Sequence, residues 1–401
     1  MQCSVTLRPA SPDCGSKARG RPGRVRPMNP LRPVAQRISR CTRPLSIVLL
    51  LALGCAGRAE PGDPAIVSAQ DSRFLYQGRL DLRDPSGPVL VWEDSGAAID
   101  FEGTRLELVF GRSEGDNFLD VRVDQAGWVA QVPSAASSRF ICPLPLAPGR
   151  HHLEIRKRQE ASAGTLQFLG IGLADPSKAA RPAAVPPGPR MEFYGDSITA
   201  GACTEDGESD QWDTHRTHNA ELSYAALIGR AYHADWRNLS VSGIGIVTGW
   251  IPFVEGEVWD RLYPKPGSPV ADLTQWIPDV VFVNLGDNDA DYPKAQKLPF
   301  PTGFGNRYED LIRKLRMAYP RAEIVLLLGG MESGTQSVPL GKEWSEAVSR
   351  LESSDGRMHH FKFTHWTSHH PRVADHAALA AELDAWLKHQ EFMKPFPTDA
   401  R

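Results

Sequence analysis

The chain has 401 residues, of which 41% are hydrophobic and 23% are charged. This composition is that of an ordinary globular protein, and the length is sufficient for two domains. The net charge of −3 is unevenly distributed, because residues 1–44 hold ten Lys and Arg residues and one acid. The remainder carries an acidic excess of about twelve charges, which argues against nucleic-acid binding, since that function needs a basic surface.

The basic N-terminal stretch runs into an apolar segment and small residues, which is the pattern of a secretory signal. The segment Leu45–Leu53 is too short to span a bilayer, which takes roughly 20 residues. Met28 is an alternative start to Met1 and would give a signal of more usual length. The sequence Ala52-Leu-Gly-Cys55 resembles a bacterial lipobox, in which the cysteine is lipidated. We therefore expect residues 1–57 to direct export, to the periplasm, to the outer membrane as a lipoprotein, or to the medium.

Residues 64–174 predict an antiparallel β-sandwich of the jelly-roll type. Leu119, Val121 and Val123 alternate with charged residues, which places one side of a strand in a core. Further short runs, separated by turn residues, are Phe74–Leu82, Val89–Trp92, Arg105–Phe110, Leu153–Ile155 and Thr165–Leu173. Cys142 and Cys203 fall in different predicted domains, so we expect free, buried or half-buried thiols and no disulfide framework.

Residues 175–190 are rich in Pro and Ala and predict a semi-rigid linker. Residues 191–391 show a different pattern, in which apolar runs of strand length alternate with segments of helical periodicity. The strands are expected at Met191–Tyr194, Trp236–Leu239, Val280–Leu285 and Ile324–Leu328, and the helices at Ala220–Tyr232, Arg307–Tyr319 and Val373–His389. This alternation predicts a three-layer, flavodoxin-like α/β domain, with catalytic loops at the carboxyl ends of its parallel strands.

Polar segments stand where such loops are expected. They are Gly195-Asp-Ser197, Ser240–Gly245, Gly286–Asp289 and Ser368–His376, the last opening the final helix. Each segment alone is consistent with an ordinary turn or helix cap, but all four occur in order at expected strand or helix ends. A serine nucleophile needs a base within hydrogen-bond reach, and its oxyanion needs fixed donors. Ser197 fits the nucleophile and His370 the base, while the Gly243 amide and the Asn288 side chain fit the donors.

In this order the motifs resemble the SGNH, or GDSL-like, hydrolase superfamily. The whole exported chain is similar to carbohydrate esterase family two, which joins an N-terminal jelly roll to a C-terminal SGNH domain. The resemblance rests on Gly149–Arg158, Gly164–Gly170, Glu192–Thr199, Ser242–Gly245, Trp276–Val281, Asn284–Asp289 and His370–His376. It implies a serine esterase that removes acetyl groups from plant polysaccharides.

By motif position, the resemblance implies that Ser197 is the nucleophile and His370 the general base. It places the Ser197 N–H, the Gly243 N–H and the Asn288 amide in the oxyanion hole. Asp196 is then expected to shape the nucleophile loop and not to act as a triad acid.

The chain departs from the SGNH pattern beside the base. Many relatives place an aspartate two or three residues before the histidine, where this chain has Ser368 and Thr367. The resemblance therefore implies a Ser–His dyad, with a backbone carbonyl orienting His370. Asp287 occupies a position where a small hydroxyl residue is common, and His369 is a neighbouring alternative to His370.

Rival interpretations include a zinc site, a binding protein and an acyltransferase. His215 and His218 have a spacing that suits zinc but lack a nearby third ligand, and both are expected to be exposed, so no metal or organic cofactor is predicted. A catalytically weak carbohydrate-binding protein and an O-acetyltransferase on the same scaffold remain as alternatives. Sugar rings could stack on Trp212, Trp250, Trp259 and Trp366. The predicted partner is an acetylated carbohydrate, the predicted state is a monomer, and contact with a membrane is expected only through a lipid anchor on Cys55.

Overall fold

The computed structural model describes residues 64–183 and 188–396. The predicted export signal, including Cys55 and both candidate start residues, lies outside the described residues. Within the described residues, the helices are all too short or too polar to cross a membrane. Cys142 is a half-buried free thiol and Cys203 a buried one, which agrees with the expectation from sequence.

The first part of the chain is the expected β-sandwich, in which two antiparallel sheets enclose an apolar core. Its strands are β1 (Ala65–Ser68), β2 (Leu75–Gln77), β3 (Val89–Leu90), β4 (Gly96–Glu102), β5 (Glu107–Gly115), β6 (Asn117–Val123), β7 (Ala126–Val132), β8 (Ser138–Ile141), β9 (Arg150–Lys157), β10 (Gly164–Leu173) and β11 (Ala179–Ala180). One sheet has the order β1-β10-β5-β8, with β3 also paired to β10. The other has the order β11-β4-β9-β6-β7, with β2 also paired to β4.

The predicted linker begins later than expected. Asp175 caps a short 3₁₀ helix, Pro176–Lys178, and the next two residues form β11, which pairs with β4. The apolar Ala179 side chain is buried in the sandwich core, and this burial stabilises the pairing of residues 179–180 with β4. The sandwich therefore extends to residue 180 and not to residue 174.

The second part is the expected three-layer α/β domain. Its strands are β12 (Arg190–Gly195), β13 (Asp235–Ser240), β14 (Val280–Asn284), β15 (Glu323–Leu328) and β16 (Met358–Lys362). All of their pairings are parallel, in the order β13-β12-β14-β15-β16. Because the chain order reverses beside β12, a crevice opens there at the carboxyl ends of the strands.

Helices cover both faces of this sheet. They are α1 (Ser197–Ala200), α2 (Tyr224–Ala231), α3 (Glu255–Val258), α4 (Asp287–Gln296), α5 (Phe304–Ala318), α6 (Glu332–Gln336), α7 (Val338–Ser354) and α8 (Val373–Leu387), with 3₁₀ turns at His215–Thr217, Ala220–Leu222 and Glu391–Met393. One core contains apolar residues of α2 and α8, and another contains those of α5 and α7. The predicted helix at 220–232 is divided, because Ser223 is extended and its hydroxyl accepts the Ala226 N–H as an N-cap.

The two domains meet across a buried ion pair. Arg79 of the sandwich donates to Oε1 of Glu192 and to the hydroxyl of Tyr194, both on β12, at 3.2 and 3.1 Å. Its other terminal nitrogen donates to the carbonyls of Trp259 and Arg261 at 2.7 and 3.2 Å. The Arg79 side chain is 2% exposed and that of Glu192 is fully buried. A pair removed from water in this way depends on both partners, because either charge alone would be buried without compensation.

We predict that Arg79→Ala lowers the free energy of unfolding by about 3–5 kcal/mol, since Glu192 would be left in a dry interface without its cationic partner. Urea unfolding followed by tryptophan fluorescence measures this loss. The matched control is Arg112→Ala, which removes an ion pair to Glu114 whose two side chains are each 68% exposed, and it should cost about 0–1 kcal/mol. Equal losses in the two variants would contradict the prediction.

Candidate active site

The nucleophile loop lies at the carboxyl end of β12. The carboxylate of Asp196 accepts the Ile198 N–H at 3.0 Å and caps α1, so Ser197 occupies the first position of that helix. A Cβ on Gly195 would lie 2.2 Å from Oγ1 of Thr199, which explains why this position needs glycine. The turn therefore presents Ser197 at the edge of the sheet, where its side chain lines a cavity.

The His370 ring stands between a serine and an aspartate. Its Nε2 lies 3.0 Å from Oγ of Ser197, and its Nδ1 lies 2.6 Å from Oδ2 of Asp210. An ionised carboxylate can only accept, so Nδ1 carries the proton and Nε2 is free to accept one from Ser197. His369 is turned elsewhere, with its Nδ1 2.8 Å from the His370 carbonyl. Of the two adjacent histidines, His370 is therefore the one in contact with Ser197.

The expected dyad with a backbone carbonyl is wrong, because Asp210 orients His370. This aspartate lies on the loop that follows α1 and not just before the histidine. Ser368 is exposed, and the Thr367 hydroxyl donates to the His369 carbonyl. An acid was expected only at those two positions, so Asp210 was missed. The available signal was its place on a loop that starts at the same sheet edge as Ser197.

Arg372 joins the loop of Asp210 to the segment of His370. Its Nη2 lies 2.8 Å from Oδ1 of Asp210, while Nη1 donates to the Cys203 and His370 carbonyls at 3.0 and 2.9 Å. Burial alone would raise the pKa of the Asp210 carboxyl, but hydrogen bonds from His370 and Arg372 outweigh it and hold the pKa well below its usual value. Asp210 is thus a carboxylate at neutral pH, as the orientation of the imidazole requires.

Gly243 and Asn288 follow the two strands that flank β12, and both line the same cavity as Ser197. Gly243 follows β13 with a φ of 78°, a left-handed conformation that glycine adopts readily. Asn288, at the start of α4, donates from Nδ2 to the Ile244 carbonyl at 2.9 Å and to Oδ2 of Asp196 at 3.3 Å. Among the residues that the structure describes, the N–H groups of Ser197 and Gly243 have no hydrogen-bond acceptor. These two N–H groups remain available to an oxyanion.

Asp289 holds the loop that carries Gly243. Its carboxylate accepts the N–H groups of Ile246, Val247 and Thr248 at 2.8, 2.7 and 3.0 Å. Burial raises the pKa of Asp289 to about 6, although these three donors oppose the shift. The turn at 246–248 is therefore tied to α4, the same helix that provides Asn288.

Two further carboxyl groups lie close to the site. Burial, followed by the charge of Asp287, raises the pKa of Asp196 well above its usual value. Burial also raises the pKa of Asp287 to about 6. Oδ1 of Asp287 accepts the Gly334 N–H, and the residue lines the cavity together with Asp291. Asp287 therefore does not point wholly away from the site.

The cavity at these residues has a volume of about 440 Å³. The predicted residues Ser197, Gly243, Asn288 and His370 line it, as do Trp212 and Trp250. The side chains of Trp212 and Trp250 are 42% and 49% exposed, and the ring centroids of Trp212 and His370 are 5.3 Å apart. Trp259 instead packs against the hydrophobic core, so that residue does not offer a ring to a sugar.

The predicted histidine pair does not form a joint metal site. His215 contacts Asp116 of the sandwich, whereas Nε2 of His218 lies 3.7 Å from Sγ of Cys203. His218 is buried and not exposed as expected, and burial lowers its pKa to about 4. Within the described residues, Cys203, Asp210 and His370 place potential metal ligands within 4.8 Å of one another. Since Asp210 and His370 are hydrogen-bonded to each other there, the geometry is that of a base and its orienting acid.

Comparison with known proteins finds one family match in each half of the chain. Residues 76–186 match the carbohydrate esterase 2 N-terminal family, and residues 193–385 match the GDSL-like lipase/acylhydrolase family. The chain is 32% identical over 327 residues to the cellulase/esterase CelE of Acetivibrio thermocellus, covering 79% of this chain and 39% of that relative. The chain thus spans less than half the length of CelE.

Two further similarities cover nearly the whole of the matched proteins. An acetylxylan esterase/glucomannan deacetylase of Cellvibrio japonicus is 25% identical, over 78% of this chain and 90% of that protein. A family two carbohydrate esterase from Clostridium thermocellum, solved in complex with cellohexaose, is 31% identical with a TM-score of 0.70. That match covers 79% of this chain and 98% of the solved one.

We predict that Asp210→Asn lowers kcat for 4-nitrophenyl acetate by about 10²–10⁴-fold, because the amide no longer fixes the His370 tautomer or stabilises the imidazolium. Steady-state kinetics at neutral pH measures the loss.

The matched control is Ser368→Ala, at an exposed position where the SGNH pattern led us to expect an acid, and it should leave kcat within about twofold of wild type. A large loss in the control together with full activity of Asp210→Asn would contradict this assignment.

Proposed function

The chain belongs to carbohydrate esterase family two, and on that premise we propose that it removes O-acetyl groups from a xylan- or glucomannan-type polysaccharide or oligosaccharide through an acyl-serine intermediate. The observation that carries the proposal is the hydrogen-bond chain from Asp210 through His370 to Ser197 at the cavity. It supplies an activated nucleophile beside unpaired amide donors.

In the acylation step, Nε2 of His370 takes the hydroxyl proton as Oγ of Ser197 bonds to the acetyl carbonyl carbon. The carbonyl oxygen becomes an oxyanion and accepts hydrogen bonds from the N–H groups of Ser197 and Gly243. The Asn288 amide joins them by exchanging its longer hydrogen bond, 3.3 Å to Asp196, for one to the oxyanion, while its other N–H stays on the Ile244 carbonyl. Collapse of the intermediate breaks the bond between the acetyl carbon and the sugar oxygen, and His370 gives its proton to that departing oxygen, which leaves as a hydroxyl group.

In the deacylation step, a water molecule takes the place of the sugar hydroxyl. His370 removes a proton from the water, which adds to the acetyl carbonyl of the acyl-serine. The second tetrahedral intermediate uses the same donors, and its collapse releases acetate and restores the Ser197 hydroxyl. Asp210 keeps its charge throughout and stabilises the imidazolium in both steps.

The substrate class is supported by the relatives and by the lining of the cavity. One relative is named an acetylxylan esterase/glucomannan deacetylase, and another was solved with cellohexaose. Trp212 and Trp250 are partly exposed and line the cavity, and aromatic rings suit the apolar faces of sugar rings. We further propose that the chain acts as an exported monomer, since the signal predicted in residues 1–57 would bring it to extracellular polysaccharides.

We predict that Ser197→Ala and His370→Ala each reduce acetate release from acetylated xylan or glucomannan by about 10⁴-fold or more, because nucleophile and base act as one unit. Enzymatic detection of acetate measures the loss, and thermal unfolding verifies that both variants are folded.

Retained release in folded Ser197→Ala would contradict the nucleophile assignment. A folded wild type that releases no acetate from any acetyl ester would support the binding-protein alternative. Transfer of acetyl to an added glycan in preference to water would support the acyltransferase.

We predict that Asp287→Asn relaxes discrimination against acidic sugars. Because the pKa of Asp287 is raised to about 6, the group is mostly neutral at about pH 5 and a carboxylate at about pH 8. A negative charge on the cavity wall disfavours a uronic acid over the matching neutral sugar by about three- to tenfold at low salt.

The measurement is the ratio of kcat/KM for O-acetylated methyl glucoside to that for the O-acetylated glucuronide, at both pH values. The wild-type ratio should rise with pH, and the Asp287→Asn ratio should stay nearly constant. Parallel pH dependence in the two proteins would contradict the prediction.

A further inference from the structure

We propose that the β-sandwich positions the oxyanion hole, through Glu160 as a positioning residue for the Gly243 amide. This inference rests on the proposed function, because it concerns the donor that would stabilise the tetrahedral intermediate. It gives the sandwich a part in the reaction that goes beyond covering one side of the hydrolase domain.

The contact is direct and buried. Oε2 of Glu160, in the turn between β9 and β10, accepts the N–H of Ser242 at 2.6 Å. Glu160 is 4% exposed and Ser242 is 6% exposed, so little water competes for either group. Ser242 immediately precedes Gly243, whose N–H has no acceptor among the described residues. The sandwich therefore fixes the residue from which the oxyanion donor projects.

A second glutamate of the sandwich strengthens this attachment two residues earlier in the chain. Oε1 of Glu93, also from the sandwich, accepts the N–H of Ser240 at 2.8 Å at the end of β13. Both residues are fully buried. The segment 240–242 thus gives two alternate backbone N–H groups to acceptors from the other domain.

The turn that carries Glu160 is itself fixed by hydrogen bonds from a buried lysine, Lys157. Nζ of Lys157 donates to the carbonyls of Gln159 and Glu160 at 2.7 and 3.0 Å, and Lys157 is fully buried at the end of β9. The turn cannot change its position relative to β9 without breaking these charge-assisted hydrogen bonds. Its carboxylate is therefore presented to Ser242 in a fixed place.

The position of the Gly243 N–H follows from restraints on both sides of it. Glu160 fixes the Ser242 nitrogen, and the amide of Asn288 fixes the Ile244 carbonyl. Because peptide units are planar, few backbone rotations remain between these fixed points. An oxyanion donor is effective only when it is already aimed at the developing charge. Loss of the restraint on the Ser242 side would let this donor turn away.

The test compares Glu160→Ala and Glu160→Gln with a matched variant of the same interface. Trp92→Phe removes a buried inter-domain hydrogen bond, from Nε1 of Trp92 to the Leu262 carbonyl at 3.0 Å, and its indole makes no hydrogen bond to the Ser242 segment. All three variants, wild type and Ser197→Ala are assayed for acetate release, with kcat and KM determined separately across pH. Hydrogen–deuterium exchange of the peptide covering residues 240–246 is measured in parallel.

We expect Glu160→Ala to lower kcat by about 10- to 100-fold, less than the roughly 10²–10³-fold cost of deleting a donor. KM should stay within about twofold and the acidic limb of the pH profile should not move, because His370 and its partner are untouched. Glu160→Gln keeps an acceptor oxygen and should restore most of kcat. Exchange at 240–246 should quicken in Glu160→Ala and not in Trp92→Phe.

Equal kcat in Glu160→Ala and Trp92→Phe, with wild type active and Ser197→Ala inactive, would overturn this inference and leave the proposed function standing. A failure of Glu160→Gln to restore activity, or a change confined to KM, would also overturn it. A folded wild type that releases no acetate would overturn the proposed function and this inference together.

Discussion

The buried guanidinium of Arg79 connects the two domains through β12, the strand that leads to Ser197. Arg79 meets Glu192 and Tyr194 on β12, and β12 ends only two residues before Ser197. The same strand pairs with β13 on one side and β14 on the other, and these strands lead to Gly243 and Asn288. A buried charge needs its partner, so Arg79 must lie opposite Glu192. The position of β12 and the position of the sandwich therefore depend on one another. The sandwich is thus part of the hydrolase framework.

Carboxylates that accept backbone N–H groups recur around the cavity. Asp196 accepts an N–H at the start of α1, the helix that begins with Ser197. Asp289 accepts three N–H groups of the loop after β13, at residues 246–248. Glu160 of the sandwich accepts one N–H of the same loop, at residue 242. Each occupies a buried position where few alternatives to these hydrogen bonds exist. Loops without regular structure are thereby given fixed shapes, which is what a preorganised site requires. The acid that contacts the histidine, Asp210, is partly exposed, and hydrogen bonds from His370 and Arg372 outweigh its burial and hold its pKa below the usual value.

The features that could be predicted from sequence are those encoded by neighbouring residues. Continuous apolar runs predicted the parallel sheet. Polar segments at the ends of those runs predicted that Ser197, Gly243 and Asn288 lie together, and they line one cavity. Asp210 and Glu160 escaped prediction because their contacts with His370 and Ser242 span 160 and 82 residues, without any periodicity to mark them. Several acids surround Asp210 in the chain, so composition alone could not single it out. The late start of the linker was missed for another reason. The two alanines at 179 and 180 are equally compatible with a linker and with a short strand paired to β4.

The loop that carries Asp210 also carries Trp212, whose ring lies beside His370 at the cavity. One short segment therefore both holds the base and offers a surface to the substrate. A change that reshapes this loop to accept a different glycan would also shift the carboxylate that orients His370. Selectivity and turnover are consequently linked traits in this protein. The other tryptophan at the cavity is linked to the reaction in the same way, because the N–H of Trp250 donates to the Gly243 carbonyl at 2.8 Å.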